Sequence, residues 1–272
     1  MNMGHLSKSR MQQLARSRLI PRYLERIKPP ICAACLHGKA TKTPWRTKAD
    51  PRRAPRVATT PGECIVVDQL ESSKPGFIGQ LRGSILTKLR YRYATVFVDM
   101  YSDYTFIYLH TNITSEETIK AKIAFENHAD TFGVKFRQYH ADNGRFQDVD
   151  FKKDCENKGQ ILSFCGVNAH FQNGRAEKNI WDLQDATRTS LLHAIKKWPS
   201  AITIHLWPYA MRYVNDVNNS IPMQGKDNSP IELFSSTVKK LPLRQFYHFG
   251  CPVYVLDANL QAGITSWNEV EE

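Results

Sequence analysis

Cys64-Ile65-Val66-Val67-Asp68 is a β-branched run that ends in a carboxylate, and it reads as a buried strand. Outward from it, Tyr93–Asp99 and Tyr104–His110 alternate as two more strands across a Tyr-Ser-Asp turn. Thr114-Ser-Glu-Glu117 fits a capping box, with Thr114 accepting at the helix start and Glu117 reaching back. The helix it opens carries Ala121, Phe125, Ala129 and Phe132 on one face and stops at Gly133. Phe136–Ala141 is a fourth strand, with Asp142 just past its end. A helix near 148–158, a short strand at Ile161–Phe164 and a loop over 166–174 follow. A long helix then starts near Arg175, with Ala176, Ile180, Leu183, Thr187 and Leu191 along one stripe, and another helical segment runs from about Ile202 to Val217. Three early strands joined by short turns make an antiparallel meander. Strands reached through helices join it in parallel by right-handed crossovers. The expectation is an α/β fold built on a mixed five-stranded sheet with helices on both faces.

Composition bounds the function. Among 272 residues the hydrophobic fraction is 42 %, enough for a packed core. No apolar run approaches the roughly 20 residues of a membrane span, and no secretory h-region opens the chain. Six scattered Cys do not form a disulfide framework. This describes a soluble intracellular protein. The net charge of +11 is local: residues 1–57 hold 14 Lys/Arg against two acids, whereas the remaining 215 hold 23 against 24. Such a segment neutralises phosphates and gives sequence-blind, salt-dependent affinity for nucleic acid. An Arg-rich transit peptide, which residues 5–28 imitate, is the rival reading. Between the amino-terminal helices and the first strand, residues 41–61 carry four prolines and no sustained period, the mark of a linker.

Asp68, Asp142 and Glu177 fall in the first strand, at the end of the fourth and in the first turn of the long helix. Adjacent strands bring the two Asp together, and the helix lays Glu177 beside them. Hard carboxylate oxygens suit Mg²⁺ or Mn²⁺, and two such ions roughly 3.5–4 Å apart serve phosphodiester chemistry. Other acids (Asp99, Asp103, Asp148, Asp150 and Glu156) read as solvated. Cys64, Cys155, Cys165 and Cys251 read as buried thiols. Trp181 reads as core, and Arg145, Lys178 and Arg188 as phosphate-facing or solvated. Asn168 and His170 fall in the loop before Glu177.

His140-Ala-Asp142-Asn-Gly-Arg145-Phe146 and Asn173-Gly-Arg-Ala-Glu177-Lys178 resemble the frames around the second and third acids of retroviral-type integrases. CGVNAHFQNGRAEK, VVDQL and SPIELF…LRQFYHFGCPVYV resemble the copia-type retrotransposon branch of that family. The likeness covers about residues 5 to 256, with 34 residues between Asp142 and Glu177. It implies an RNase H-like core over 62–222 whose triad, Asp68, Asp142 and Glu177, binds two divalent ions and performs polynucleotidyl transfer. The implied activity is joining of the 3′-hydroxyl ends of a double-stranded DNA copy to target DNA. A homo-oligomer acting in the nucleus follows from the same resemblance.

Cys32 and Cys35 have structural zinc spacing. The family's amino-terminal module uses two His followed by two Cys, and Met3-Gly-His5-Leu-Ser7 resembles the frame around the second His. The resemblance therefore assigns His5, Cys32 and Cys35 as Zn²⁺ ligands of an incomplete site in a partial module over 1–40. His37, two residues past Cys35, reads as a surface residue. Lys39, Arg52, Arg53 and Lys178 are the expected DNA contacts. Residues 223–272 hold a strand signal at Cys251–Leu256, the expected opening of a small SH3-like β domain. The implied picture is a polyprotein piece or a decayed copy. A catalytically inactive nucleic-acid-binding remnant that keeps the fold is the competing expectation.

Overall fold

A computed structural model describes residues 5–27, 32–38, 58–79, 88–142, 145–164, 174–223, 225–237, 243 and 246–253. Helix α1 (Lys8–Arg16), a 3₁₀ turn at Arg22–Glu25 and α2 (Ala33–Gly38) precede the sheet. Strands β1 (Ile65–Gly76), β2 (Tyr91–Asp99) and β3 (Thr105–His110) form the expected meander. Then come α3 (Ser115–Asp130), β4 (Gln138–Ala141), α4 (Val149–Asn157), β5 (Ile161–Phe164), α5 (Gly174–Lys197), α6 (Trp207–Ser220) and α7 (Pro230–Ser235). The sheet order is β3-β2-β1-β4-β5, with β2 antiparallel to β1 and β3, and β4 parallel to β1 and β5.

Strand alternation divides the core between two faces. Ile65 and Val67 of β1 and Phe97 of β2 meet Ala121, Phe125 and Ala129 of α3 and Phe151 of α4. Phe97 and Phe125 lie 5.2 Å apart between ring centres, and Phe106 stacks on Phe125 at 4.8 Å. Leu70, Val96 and Val98 point to the opposite face, against Ile180 and Leu183 of α5 and Met211 and Val214 of α6. The entry to β1 is held by Asp99. Its Oδ1 accepts from Gly62 N at 2.9 Å, and its Oδ2 accepts from Ser102 N at 2.8 Å and Ser102 Oγ at 2.6 Å. Gly62 is required there: its φ is +79°, and a Cβ would run into the Lys135 carbonyl. Asp99 is thus fully buried rather than solvated, and burial pushes its carboxyl above the usual range despite those donors.

A buried cation ties α3 to α4. Lys122 is fully buried, with Nζ 2.8 Å from Glu126 Oε1 and 2.5 Å from Asp154 Oδ2. Lys158 Nζ reaches Glu126 Oε2 at 2.6 Å, and the Tyr139 hydroxyl donates to Glu126 Oε1 at 3.0 Å. Only donors this numerous make such burial tolerable.

Helix α3 is capped by Thr114, whose hydroxyl accepts from Glu117 N at 3.3 Å. Glu117 pairs with Lys120 at 3.0 Å, so the return arm of the expected capping box is spent elsewhere. A full box forms instead at α7, where Glu232 Oε2 accepts from Ser229 N at 2.7 Å and seats Phe234 against Tyr104. Residues 251–253 form no strand, and 254–256 of that expected strand lie outside the described residues, as does the linker over 41–57. The amino-terminal helices dock on the core. Leu14, Ala15 and Ile20 bury against Val217 and Ile221 of α6, and Gly38 sits so close to Thr189 of α5 that a Cβ would strike its backbone.

Lys122→Ala strands two carboxylates in the interior and is expected to cost roughly 3–5 kcal/mol in urea unfolding. Burial alone would raise Glu126, but hydrogen bonds from Lys122, Lys158 and Gln160 prevail and bring it from 4.5 to about 2. A carboxyl depressed on folding contributes stability that is present above its unfolded pKa of 4.5 and lost as pH falls towards 2. An acid titration followed by circular dichroism should therefore show wild type losing stability across that window, and the Lys122→Ala variant losing much less there.

Candidate active site

Register places the first two acids side by side. In the parallel pairing of β1 with β4, Ile65, Val66 and Val67 face Tyr139, His140 and Ala141. One step further along both chains come Asp68 and Asp142. The pleat also settles which face Asp68 takes. Its neighbour Gln69 sends its amide to Thr118 Oγ1 of α3 at 3.2 Å and to Thr95 Oγ1 of β2 at 3.2 Å. Asp68 shares the other parity, with Val66 and Leu70, towards the face covered by α5 and α6. Its Oδ1 accepts from Gln69 N at 2.7 Å.

Glu177 enters that face in the first turn of α5, where a carboxylate is favoured by the positive end of the helix dipole. All three acids are half-buried, accessible yet partly removed from water. They cluster at the carboxyl ends of the parallel strands, where open α/β sheets hold ligands. The three carboxylates do not close to within 4.8 Å of one another, a limit that His5, Cys32 and His193 do meet among the described residues. Like charges repel, and a divalent cation is the species that draws such a set together. The donors fit Mg²⁺ or Mn²⁺: oxygen only, anionic, and on two strands and a helix end that packing already fixes.

The second expected site is at the amino terminus. His5 Nδ1 lies 3.5 Å from Cys32 Sγ and 3.3 Å from Cys35 Sγ. The three residues assigned from sequence are therefore together in space. His193 of α5 joins them, its ring centre 5.0 Å from that of His5. No spacing rule could have found it, because it stands 158 residues beyond Cys35. His37 is exposed, as expected.

Among the expected DNA contacts, Lys178 is exposed beside Glu177. Lys39, Arg52 and Arg53 lie outside the described residues, as do Asn168, His170 and Cys165. Arg188 is engaged within the fold, with Nη1 donating to Gly38 O at 3.4 Å and to Asp185 at 3.3 Å. Trp181 departs from the core reading: it is 67 % exposed, one turn beyond Glu177. Cys64 and Cys155 are buried, and Cys251 is half-buried.

Known structures share this architecture. The chain is similar to one in the simian T-cell lymphotropic virus intasome in complex with PP2A regulatory subunit B56 gamma, with a TM-score of 0.52 and 15 % identity over 85 % of this chain and 76 % of that one. It is also similar to the HTLV-2 integrase catalytic core domain in complex with magnesium, with a TM-score of 0.46 and 17 % identity over 64 % of this chain and 97 % of that one. No protein-family model and no curated protein matches the sequence. The mixed five-stranded sheet with flanking helices is RNase H-like, an integrase-like fold.

If the three acids share a cation, millimolar Mg²⁺ or Mn²⁺ should raise the melting temperature of the wild-type chain. Saturation at about 100-fold over Kd adds roughly 2.7 kcal/mol, which corresponds to several degrees for a chain this size. Asp68→Asn or Asp142→Asn should remove that rise, as read by differential scanning calorimetry.

Proposed function

We propose that the chain is a DNA integrase of the D,D,E class from a copia-type retrotransposon. In this reading it joins 3′-hydroxyl ends of double-stranded DNA to a target strand. The observation that carries the proposal is the β1–β4 register, which sets Asp68 beside Asp142 on the face covered by the helix that bears Glu177. The intasome likeness in fold supports the same class.

The roles divide by chemistry. Asp68 and Asp142 hold the divalent pair through carboxylate oxygens from two adjacent strands, and Glu177 closes the set from the helix. When bound there, such ions supply Lewis-acid stabilisation of the attacking and leaving oxygens of a phosphodiester. The side chains need form no covalent bond with DNA, because positioning and charge neutralisation provide the rate. Lys178 meets phosphate next to the acids, and exposed Trp181 offers a ring on which a splayed base stacks. The basic segment containing Lys39, Arg52 and Arg53 grips the backbone without reading sequence. The working form is a homo-oligomer acting on chromosomal DNA in the nucleus.

A disintegration assay on branched DNA tests this reading, because it reverses strand joining and asks little of end sequence. With Mg²⁺ or Mn²⁺ the wild-type chain should reseal the target strand, and Glu177→Gln should lose at least about 100-fold, the scale on which a charge-stabilising group in an active site is felt. A folded wild-type chain that binds the branched DNA but never reseals it would instead mark a catalytically inactive nucleic-acid-binding remnant.

A further inference from the structure

We propose that His193, on the long core helix α5, is the fourth ligand of a Zn²⁺ site completed by His5, Cys32 and Cys35, and that the ion clasps the amino-terminal helices to the catalytic core. The inference is independent of the acids and of any turnover. It takes the three ligands that the sequence brings together and supplies the missing one from another part of the fold.

The donor set is the first argument. Two thiols and two imidazoles make Cys₂His₂, the composition of closed structural zinc sites. With Zn–S near 2.3 Å and Zn–N near 2.0 Å, the edges between ligand atoms of a tetrahedral site are roughly 3.5 Å. His5 Nδ1 stands 3.5 Å from Cys32 Sγ and 3.3 Å from Cys35 Sγ. Single ligand atoms of His5, Cys32 and His193 all lie within 4.8 Å of one another. Cys35 touches the cluster from the His5 side, and rotation about its χ1 brings the second sulfur onto the ion.

The second argument is how His193 comes to be there. It follows Thr189 by one helical turn, and Thr189 is the residue against which Gly38, at the end of α2, packs without room for a Cβ. Arg188 Nη1 also donates to the Gly38 carbonyl. The face of α5 that carries His193 is thus already the docking face for the helix that follows Cys32. His5 is held with φ +57°, a left-handed conformation that costs an ordinary residue about 1 kcal/mol or more and that a ligand bond would help sustain. The next imidazole outward, His248, lies 6.2 Å from His193 between ring centres, and its Nε2 is 3.2 Å from Lys197 Nζ. It belongs outside the site.

Binding releases the thiol protons to solvent as both sulfurs become thiolates. The test uses the full chain, stripped of metal with a chelator and titrated with Zn²⁺ or Co²⁺. One Zn²⁺ per chain is expected, with an intense visible Co²⁺ spectrum diagnostic of four-coordinate geometry and a thiolate charge-transfer band. His193→Ala should weaken Zn²⁺ at least about 10-fold and shift the Co²⁺ spectrum away from four protein ligands. His193→Cys, which returns a soft ligand to the same position, should restore both, so a mere folding defect is separated from loss of a ligand. His248→Ala should bind as wild type does. Protease protection of residues 5–27 should rise with Zn²⁺ in wild type and not in His193→Ala. A wild-type chain that takes up no Zn²⁺ overturns the proposal. So does a folded His193→Ala chain with wild-type affinity and Co²⁺ spectrum, or a His248→Ala chain that loses the metal.

Discussion

The parallel register of β1 against β4 is the constraint on which the molecule turns. Because side chains alternate along a strand, a slip of one residue would carry Asp68 to the α3 face and leave Gln69 on the α5 face. The observed register is held from both ends. Gly62 N on Asp99 anchors the entry to β1, and the amide of Gln69 between Thr95 and Thr118 anchors the stretch just past Asp68. Between these points Ile65 and Val67 are fully buried among aromatic rings, where a polar replacement would have no partner.

The two faces of the sheet carry different duties. The α3–α4 face is a dense aromatic layer closed by the Lys122 network, and everything on it serves cohesion. The α5–α6 face carries the acids, the exposed Trp181 and the docked amino-terminal helices. Helix α5 joins these duties in one rigid element. Glu177 and His193 are sixteen residues apart on it, about 24 Å of helix. The proposed metal centres are therefore mechanically linked, and docking of α2 on α5 bears on the helix that presents the third acid.

Much of this was legible in the order of residues. The five strands, the Thr114 cap and the positions of Asp68, Asp142 and Glu177 follow from period, turn chemistry and frame, all of which are local. What escaped reading is non-local or runs against residue type. Lys122 lies on a helix face that looks solvated, and only the fold reveals Glu126, Asp154 and Lys158 gathered around it. Asp99 ends its strand as Asp68 nearly ends its own run, yet one is a buried anchor and the other faces the site. Trp181 looks like core by composition, but the turn that holds it faces outward beside Glu177. The Ser229–Glu232 box was a readable signal, obscured by the proline-rich turn before it. His193 had no signal, since its partners lie at the other end of the chain.

The central claim is that Asp68 and Asp142 share a divalent ion with Glu177. The most direct test is an anomalous difference map from crystals of the wild-type chain soaked in Mn²⁺. Density between the Asp68 and Asp142 carboxylates, with Glu177 drawn towards it, is the expected result. Mn²⁺ bound elsewhere, or an empty carboxylate pair at saturating Mn²⁺ in a crystal that leaves the site open, would contradict the account.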